Sequence, residues 1–184
     1  MIIQSKRIGA VEVDESRIIR FADGLLGFPI AKSFFLADDP AEEGMPFKWL
    51  ICIEDPELMF LVTDPGVFFK DYVFDLSAED QKYLNVKSPE DLSVITVLTV
   101  PADPKLITAN LKGPLVINWK TLVGRQLVLK DSAYETKHYI FMQAVSATPE
   151  VAATKNAKGM SSRELPNTPP PSAEHGNISV EGKV

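Results

Sequence analysis

Short runs of apolar and β-branched residues, bounded by turn-forming residues, recur along the first 141 positions of the chain. The runs at 47–53 and 58–64 are separated by Glu-Asp-Pro-Glu, a turn-rich sequence that predicts a hairpin. The run at 92–100 is β-branched and nearly continuous, so it predicts a central strand covered on both faces. About nine or ten such strands at intervals of roughly 8–12 residues predict a β-sandwich or a closed barrel.

Helical patterns are few and short. Ser77 precedes acidic residues and predicts the start of a helix over 77–85, with Asp80 at its third position. Asp64 before Pro65 predicts a single helical turn. The fold is therefore predicted to be mainly β, with a few short helices at the connections.

The composition changes after residue 141. All aromatic residues lie at or before Phe141, and residues 142–184 are rich in Ala, Ser, Thr, Asn, Gly and Pro. A segment with few large apolar side chains cannot offset the entropy that it loses on ordering. We therefore predict a folded domain over 1–141 and a disordered C-terminal tail over 142–184.

Composition and charge restrict the function. A hydrophobic share of 45% is enough for a buried core, and the net charge is −6. A negative surface repels phosphate backbones and attracts basic proteins, so we expect no direct binding of nucleic acid. No apolar run approaches the roughly 20 residues that cross a membrane, and the N-terminus lacks the apolar region of a signal peptide. We therefore expect a cytoplasmic protein that does not bind membranes.

Residues that could carry catalysis or hold a metal are few. Cys52 lies in an apolar run and is expected to be a small buried residue. His138 lies in a strand pattern and His175 in the tail, and neither has a second His or Cys at ligand spacing. Acidic clusters such as 37–44 and 54–57 lie at turns, where carboxylates usually cap backbone N–H groups. These patterns favour a binding protein over an enzyme, and we expect no cofactor and no metal.

The sequence GVFFKDYVFDL, residues 66–76, concentrates aromatic and acidic side chains. Six of them fall close together: Phe68, Phe69, Asp71, Tyr72, Phe74 and Asp75. Core packing accounts for two or three of the aromatic residues, so we expect one or two at the surface. An exposed aromatic residue surrounded by carboxylates is typical of a protein-binding site.

The sequence TANLKGPLVIN, residues 108–118, places a Gly-Pro pair between two apolar runs. It predicts two strands joined at Lys-Gly as a hairpin, with Gly113 free to take positive φ and Pro114 opening the second strand. Asn110 and Asn118 are expected to bond backbone groups at strand ends.

Several motifs in a fixed order carry a resemblance to a known family. They are FADGLLGFP (21–29), PFKWL (46–50), DPGVFFKDYVFDL (64–76), LTVPAD (98–103) and TANLKGPLVIN (108–118), followed by GRQLVL (124–129). Over roughly residues 2–141 their order and spacing resemble the flagellar assembly factor family, FliW. The resemblance implies a small, largely antiparallel β-barrel-like fold and no enzymatic activity. The tail is a departure, because family members usually end soon after the last strand.

The resemblance also implies two protein partners. One is flagellin, bound at its C-terminal region in the cytoplasm and kept soluble before export, as by a chaperone. The other is CsrA, a small basic RNA-binding dimer that represses translation of flagellin mRNA and is displaced allosterically from the transcript. When flagellin occupies the family protein, CsrA is released and translation stops, so that flagellin synthesis is coupled to export.

The aromatic and acidic stretch is our predicted partner-binding site. We assign binding to Phe68, Asp71, Tyr72 and Asp75, with Tyr72 as the anchor and the aspartates as charge partners. Two other functions stay open at this stage. One is a general protein-binding scaffold or chaperone unrelated to flagella, and the other is a small metal-dependent hydrolase that uses a carboxylate pair.

Overall fold

The computed structural model describes residues 1–38, 44–130, 132–141 and 178–181. Most of its elements are short strands: Ile2–Ser5 (β1), Gly9–Glu12 (β2), Ile19–Arg20 (β3), Ser33–Asp38 (β4), Phe47–Cys52 (β5), Met59–Thr63 (β6), Val73–Leu76 (β7), Leu92–Thr99 (β8), Thr108–Ala109 (β9), Leu115–Asn118 (β10), Val123–Gln126 (β11), His138–Tyr139 (β12) and Ile178–Glu181 (β13). The helices are an α-helix and short 3-10 turns: Ala78–Tyr83 (α1), Glu15–Arg17, Pro65–Val67, Pro89–Asp91 and Pro104–Leu106.

The largest sheet curves into a nearly closed ring. Its strand order is β10-β11-β3-β4-β5-β6-β8-β9-β12, and an additional pairing of β10 with β8 brings the ring back onto itself. All of these pairs are antiparallel except β11 with β3, where Val123 lies opposite Arg20. Two-stranded pairs, β1 with β2 and β7 with β13, lie outside the ring. The prediction of a mainly β, barrel-like fold is confirmed.

The strand β8 is buried on both faces, as its continuous apolar pattern predicts. Val94 and Leu98 belong to a core cluster that also contains β7, whereas Ile95 packs into the core enclosed by the ring. The predicted hairpin is formed by β5 and β6, with Leu50 opposite Phe60. The two faces of β8 thus connect the interior of the ring to the layer formed by β7 and α1.

The predicted helix starts where its cap indicates. The hydroxyl oxygen of Ser77 accepts a hydrogen bond from the N–H of Asp80 at 3.1 Å, and α1 runs from Ala78 to Tyr83. In the described part of the chain, no helix is both long and apolar enough to cross a membrane.

The hairpin predicted at residues 108–118 is wrong. β9 and β10 both pair antiparallel with β8, with Thr108 opposite Thr99 and Leu115 opposite Ile95. The two segments therefore follow one another along β8 and do not fold back on each other. Residues 110–114 form the loop between them.

This loop is held by its own side chains. The Oδ1 atom of Asn110 accepts a hydrogen bond from the N–H of Gly113 at 3.0 Å, as expected of an asparagine at a strand end. The φ angle of Gly113 is not in the positive range that we expected. A Cβ atom there would lie 3.0 Å from Nδ2 of Asn110, so the glycine makes room for that amide.

Part of the predicted tail is ordered as a strand. Residues 178–181 form β13, which pairs antiparallel with β7, although we expected disorder throughout 142–184. The rest of that tail, 142–177 and 182–184, lies outside the described residues.

Candidate protein-binding surface

A capped turn introduces the aromatic and acidic stretch. Asp64 accepts a hydrogen bond from the N–H of Gly66 at 2.8 Å and so starts the turn Pro65–Val67. Burial raises the pKa of Asp64, while the hydrogen bond from Gly66 opposes that shift. The turn places Phe69 in the core and leaves Phe68 half-buried.

The strand β7 follows with a regular alternation. Phe74 and Leu76 are buried in the core, whereas Val73 and Asp75 are exposed. Val73 is 45% exposed, which is unusual for a large apolar residue in a strand of the core. One face of β7 therefore packs into the core, and the opposite face exposes Val73 and Asp75.

Tyr72 is not the exposed anchor that the sequence suggested. Its side chain is 2% exposed, and its hydroxyl donates a hydrogen bond to the carbonyl oxygen of Leu111 at 2.7 Å. Its ring also lies 4.6 Å from that of Tyr134, measured between centroids. Burial is the main cause that raises the pKa of Tyr72, and the nearby Tyr134 contributes to the same shift. Tyr72 therefore supports the surface from beneath.

Phe68 contacts two other aromatic rings, those of Phe47 and Phe141. Its ring stacks on that of Phe47, with centroids 6.0 Å apart and planes 17° apart. The ring of Phe141 is nearly perpendicular to that of Phe68, with centroids 6.2 Å apart, and Phe141 itself is 40% exposed. Phe68 thus offers a partly accessible apolar face that its neighbours hold in place.

The two predicted aspartates are both exposed, but their surroundings differ. The side chain of Asp71 makes no hydrogen bond or ion pair with the described residues. Asp75 accepts a hydrogen bond from the hydroxyl of Ser179 in β13 at 2.6 Å. Of the four predicted residues, Phe68 is half-buried, Asp71 and Asp75 are exposed and Tyr72 is buried, and their role in partner binding stays a prediction.

A groove of about 970 Å³ runs between β7 and residues 125–130. Arg125 lies in its wall, with Nη1 at 2.8 Å from Oδ1 of Asp80 and Nη2 at 3.2 Å from Oε1 of Glu79. Its guanidinium carbon is also 4.6 Å from the ring centroid of Tyr83. These contacts fix Arg125 in the wall of the groove, paired with two carboxylates of α1.

Several carboxylates at turns cap backbone N–H groups, whereas Asp38 of the 37–44 cluster pairs with Lys48. Asp55 accepts from the N–H of Glu57 at 3.1 Å, and Asp103 accepts from the N–H of Lys105 at 3.0 Å. Among the described residues, no group of three His, Cys, Asp or Glu side chains is arranged to hold a metal ion. Part of the 37–44 cluster, residues 39–43, lies outside the described residues.

Cys52 and His138, the reactive residue types in the described part of the domain, are both held by hydrogen bonds within the fold. Cys52 is buried in the ring, and burial together with its hydrogen bond to Glu54 raises the pKa of the thiol to about 11. The Nε2 atom of His138 accepts a hydrogen bond from the N–H of Glu135 at 2.7 Å. A protonated thiol is a poor nucleophile at neutral pH, and so is an imidazole whose Nε2 atom already accepts a hydrogen bond. The second histidine, His175, lies outside the described residues.

Comparison with known proteins identifies the family of this chain. A model of the FliW protein family matches residues 2–140. The chain belongs to the FliW family of flagellar assembly factors.

FliW relatives and a FliW crystal structure agree with this assignment. The flagellar assembly factor FliW of Alkaliphilus metalliredigens is 42% identical over 140 residues, which cover 76% of this chain and 86% of that protein. The same factor of Natranaerobius thermophilus is 41% identical over 142 residues, covering 77% and 93%. A crystal structure of the flagellar assembly factor FliW matches with a TM-score of 0.71 at 33% identity, covering 77% of this chain and 97% of that one.

Our sequence analysis missed the strand β13, which lies beyond the matched FliW region. Ser179 lies opposite Asp75 and Val180 opposite Phe74, so β13 covers one edge of β7. Val180 is 4% exposed and belongs to the same core cluster as Phe74 and Tyr72. The alternation of Ile178, Ser179 and Val180 was a possible signal, but it is short and stands in a segment of disorder-prone composition.

The sequence analysis also missed an exposed apolar loop in the FADGLLGFP motif of this FliW-family chain. Leu26 is 61% exposed and Phe28 39%, and Ile30, directly after the motif, is 86% exposed. The loop is fixed by an isolated bridge between Leu25 and Phe28 and by a hydrogen bond from the N–H of Leu26 to Oε1 of Gln126 at 2.8 Å. Two glycines around two leucines are typical of a bend, but this pattern does not tell which side chains the bend exposes.

Proposed function

We propose that this FliW-family protein binds flagellin and CsrA in the cytoplasm and couples flagellin synthesis to export by exchanging the two. Its action is binding, chaperone-like toward flagellin and antagonistic toward CsrA, with no chemical step. Family membership supports the flagellar role. We place the binding surface at β7 because Asp71 and Asp75 are exposed on either side of the exposed Val73 in the sequence.

This arrangement has the composition of a protein-binding site. Val73 and the accessible face of Phe68 supply apolar contact, and the two aspartates supply charge around it. Interfaces commonly combine an apolar centre with a polar rim. Tyr72 contributes by holding β7 on the loop at Leu111, so it shapes the surface without touching a partner.

The charge of the chain suits a basic partner such as CsrA. The net charge of −6 attracts a basic dimer over distances of about a Debye length, and salt screens this attraction. Complementary charge mainly raises the association rate and orients the encounter. Flagellin, in contrast, would be held mainly by the apolar centre, and a shared surface makes the two partners compete.

The test measures binding of purified CsrA and flagellin to the full-length chain by a surface-based kinetic method. Asp71→Lys should weaken CsrA binding about tenfold, mainly through a slower association rate, because it places a cation where a basic partner approaches. The effect should shrink at high salt. Flagellin added in excess should lower the amount of CsrA bound to the wild-type chain.

Glu12→Lys is the matched control. Glu12 is exposed on β2, in a different sheet, so this variant changes the net charge equally without touching the β7 region. Equal weakening by both variants would show that only total charge matters and would remove the site from β7. Failure of the wild-type chain to bind either protein would reject the proposed function.

A further inference from the structure

We propose that the edge of β7 is a strand-binding site, and that residues 178–181 of the same molecule are its resident occupant. An extended segment supplied from outside binds this edge only when β13 has left it. β7 lies within residues 2–140, which match the FliW family model, whereas β13 lies beyond them. This inference concerns the chain alone and does not rest on the binding of flagellin or CsrA.

The pairing of β7 shows why its edge needs an occupant. Among the described residues, β13 is the one strand with which β7 pairs. An unpaired edge strand exposes a row of backbone N–H and C=O groups, which readily accepts another extended segment. Adding a strand to such an edge is a common way to bind peptides, in which the backbone supplies affinity and alternate side chains supply specificity.

β13 has the contacts of a bound peptide. Val180 inserts into the core cluster opposite Phe74 and is 4% exposed. Ser179, one residue earlier, stays exposed and donates its hydroxyl hydrogen bond to Asp75 at 2.6 Å. The inner position thus selects a β-branched apolar side chain, and the outer position selects a hydroxyl or another donor to a carboxylate.

Tethering explains how so short a strand holds the edge. Four residues make too few contacts for tight binding as a free peptide, but a segment attached to its own receptor acts at an effective concentration on the order of millimolar. A free peptide of the same pattern must compete against that concentration. An external segment therefore binds weakly to the intact chain and more strongly once the resident strand is released.

The test uses a fluorescent synthetic peptide of residues 174–184 and the full-length chain, with binding followed by fluorescence anisotropy. Val180→Asp in the chain places a carboxylate in the buried position and should release β13. We expect the peptide to bind this variant at least about tenfold more tightly than it binds the wild-type chain. A peptide that itself carries Val180→Asp should bind neither chain.

Several results would overturn the proposal. A folded V180D chain that binds the peptide no better than wild type does would show that β7 accepts no strand from outside. Dimers of the wild-type chain that V180D abolishes, seen by light scattering, would place β13 on a second copy.

Hydrogen exchange of the wild-type chain keeps the proposal testable should V180D fail to fold. We expect the amides of 178–181 to exchange by a partial opening, well before those of β8. Exchange of both strands in a single global step would make β13 an integral part of the core and would contradict the proposal.

Discussion

The hydroxyl of Tyr72 donates a hydrogen bond to the carbonyl oxygen of Leu111 at 2.7 Å, across 39 positions of sequence. Both residues are buried, and both belong to the core cluster that lies under β7. The bond therefore joins the aromatic and acidic stretch to the loop 110–114 between β9 and β10. It makes Tyr72 a determinant of stability and of the shape of the proposed binding surface.

Replacement of Tyr72 should lower stability in two steps. Tyr72→Phe leaves the buried carbonyl of Leu111 without its partner and should cost about 1–2 kcal/mol of unfolding free energy. Tyr72→Ala also removes the ring and should cost about 4 kcal/mol. Urea unfolding followed by circular dichroism measures both values. CsrA binding by a folded Tyr72→Phe chain should match wild type, because the residue does not reach the surface.

A different outcome would revise this role. Unchanged stability of Tyr72→Phe, together with weaker CsrA binding, would mean that the tyrosine leaves its buried position and contacts the partner directly.

The two asparagines of TANLKGPLVIN should differ in their contribution to stability. Asn118 is 1% exposed; its Nδ2 donates to the carbonyls of Leu84 and Asn85, and its Oδ1 accepts from the N–H groups of Lys120 and Thr121. Asn118→Ala leaves these groups without partners in a buried place and should cost about 3 kcal/mol. Asn110→Ala loses one bond and should cost about 1 kcal/mol. Equal costs in urea unfolding would show that solvent replaces the bonds of Asn118.

Asp64 should make stability depend on pH in an identifiable way. Its folded pKa is raised above its usual value, chiefly by burial. Its contribution to stability is therefore present below the unfolded pKa of about 3.8 and is lost as the pH rises through the folded pKa. Asp64→Asn keeps an oxygen that accepts from Gly66 and removes the charge. It should raise the melting temperature at pH 7, and the gain should shrink toward pH 3.

Two further variants separate charge from capping at Asp64. Asp64→Ala removes both and should cost about 1 kcal/mol through the lost cap. Asp103 caps the turn Pro104–Leu106 in the same way but is exposed, so Asp103→Asn should bring no gain at pH 7. A gain at Asp103 equal to that at Asp64 would mean that net charge, and not burial, is responsible.

Local patterns predicted the elements whose causes are local. Ser77 caps α1, the turn between 47–53 and 58–64 closes a hairpin, and β8 is buried on both faces. In each case the residues that decide the element lie within it or beside it. Family resemblance then placed these elements in a barrel-like fold.

Elements decided by distant contacts were not predictable in this way. Alternation places Tyr72, Phe74 and Leu76 on one face, but the pattern does not say that the loop at Leu111 covers that face. The Gly-Pro pair at 113–114 is typical of a hairpin, yet pairing of β10 with β8 outweighs it. β13 is stabilised by contacts with a strand about 100 positions away, which its own composition cannot show.

The exposed loop of the FADGLLGFP motif depends on Gly24 for its shape. Its φ is +71°, in the range that favours glycine, and a Cβ atom there would lie 2.6 Å from the carbonyl oxygen of Phe28. The obstacle is backbone, so it cannot rotate away as a side chain could. Gly27 has a φ of +87°, but a Cβ atom there would meet nothing within 4 Å.

These two glycines form a matched pair for mutation. Gly27→Ala should cost about 1 kcal/mol, because only its backbone conformation is unfavourable for alanine. Gly24→Ala adds a steric clash to the same strain and should cost about 3 kcal/mol, since the loop must move to admit the methyl group. That movement should also displace the exposed Leu26 and weaken its N–H bond to Gln126, which amide chemical shifts would report. Equal costs for both variants in urea unfolding would show that the loop yields freely, and the fixed presentation of its apolar side chains would then be rejected.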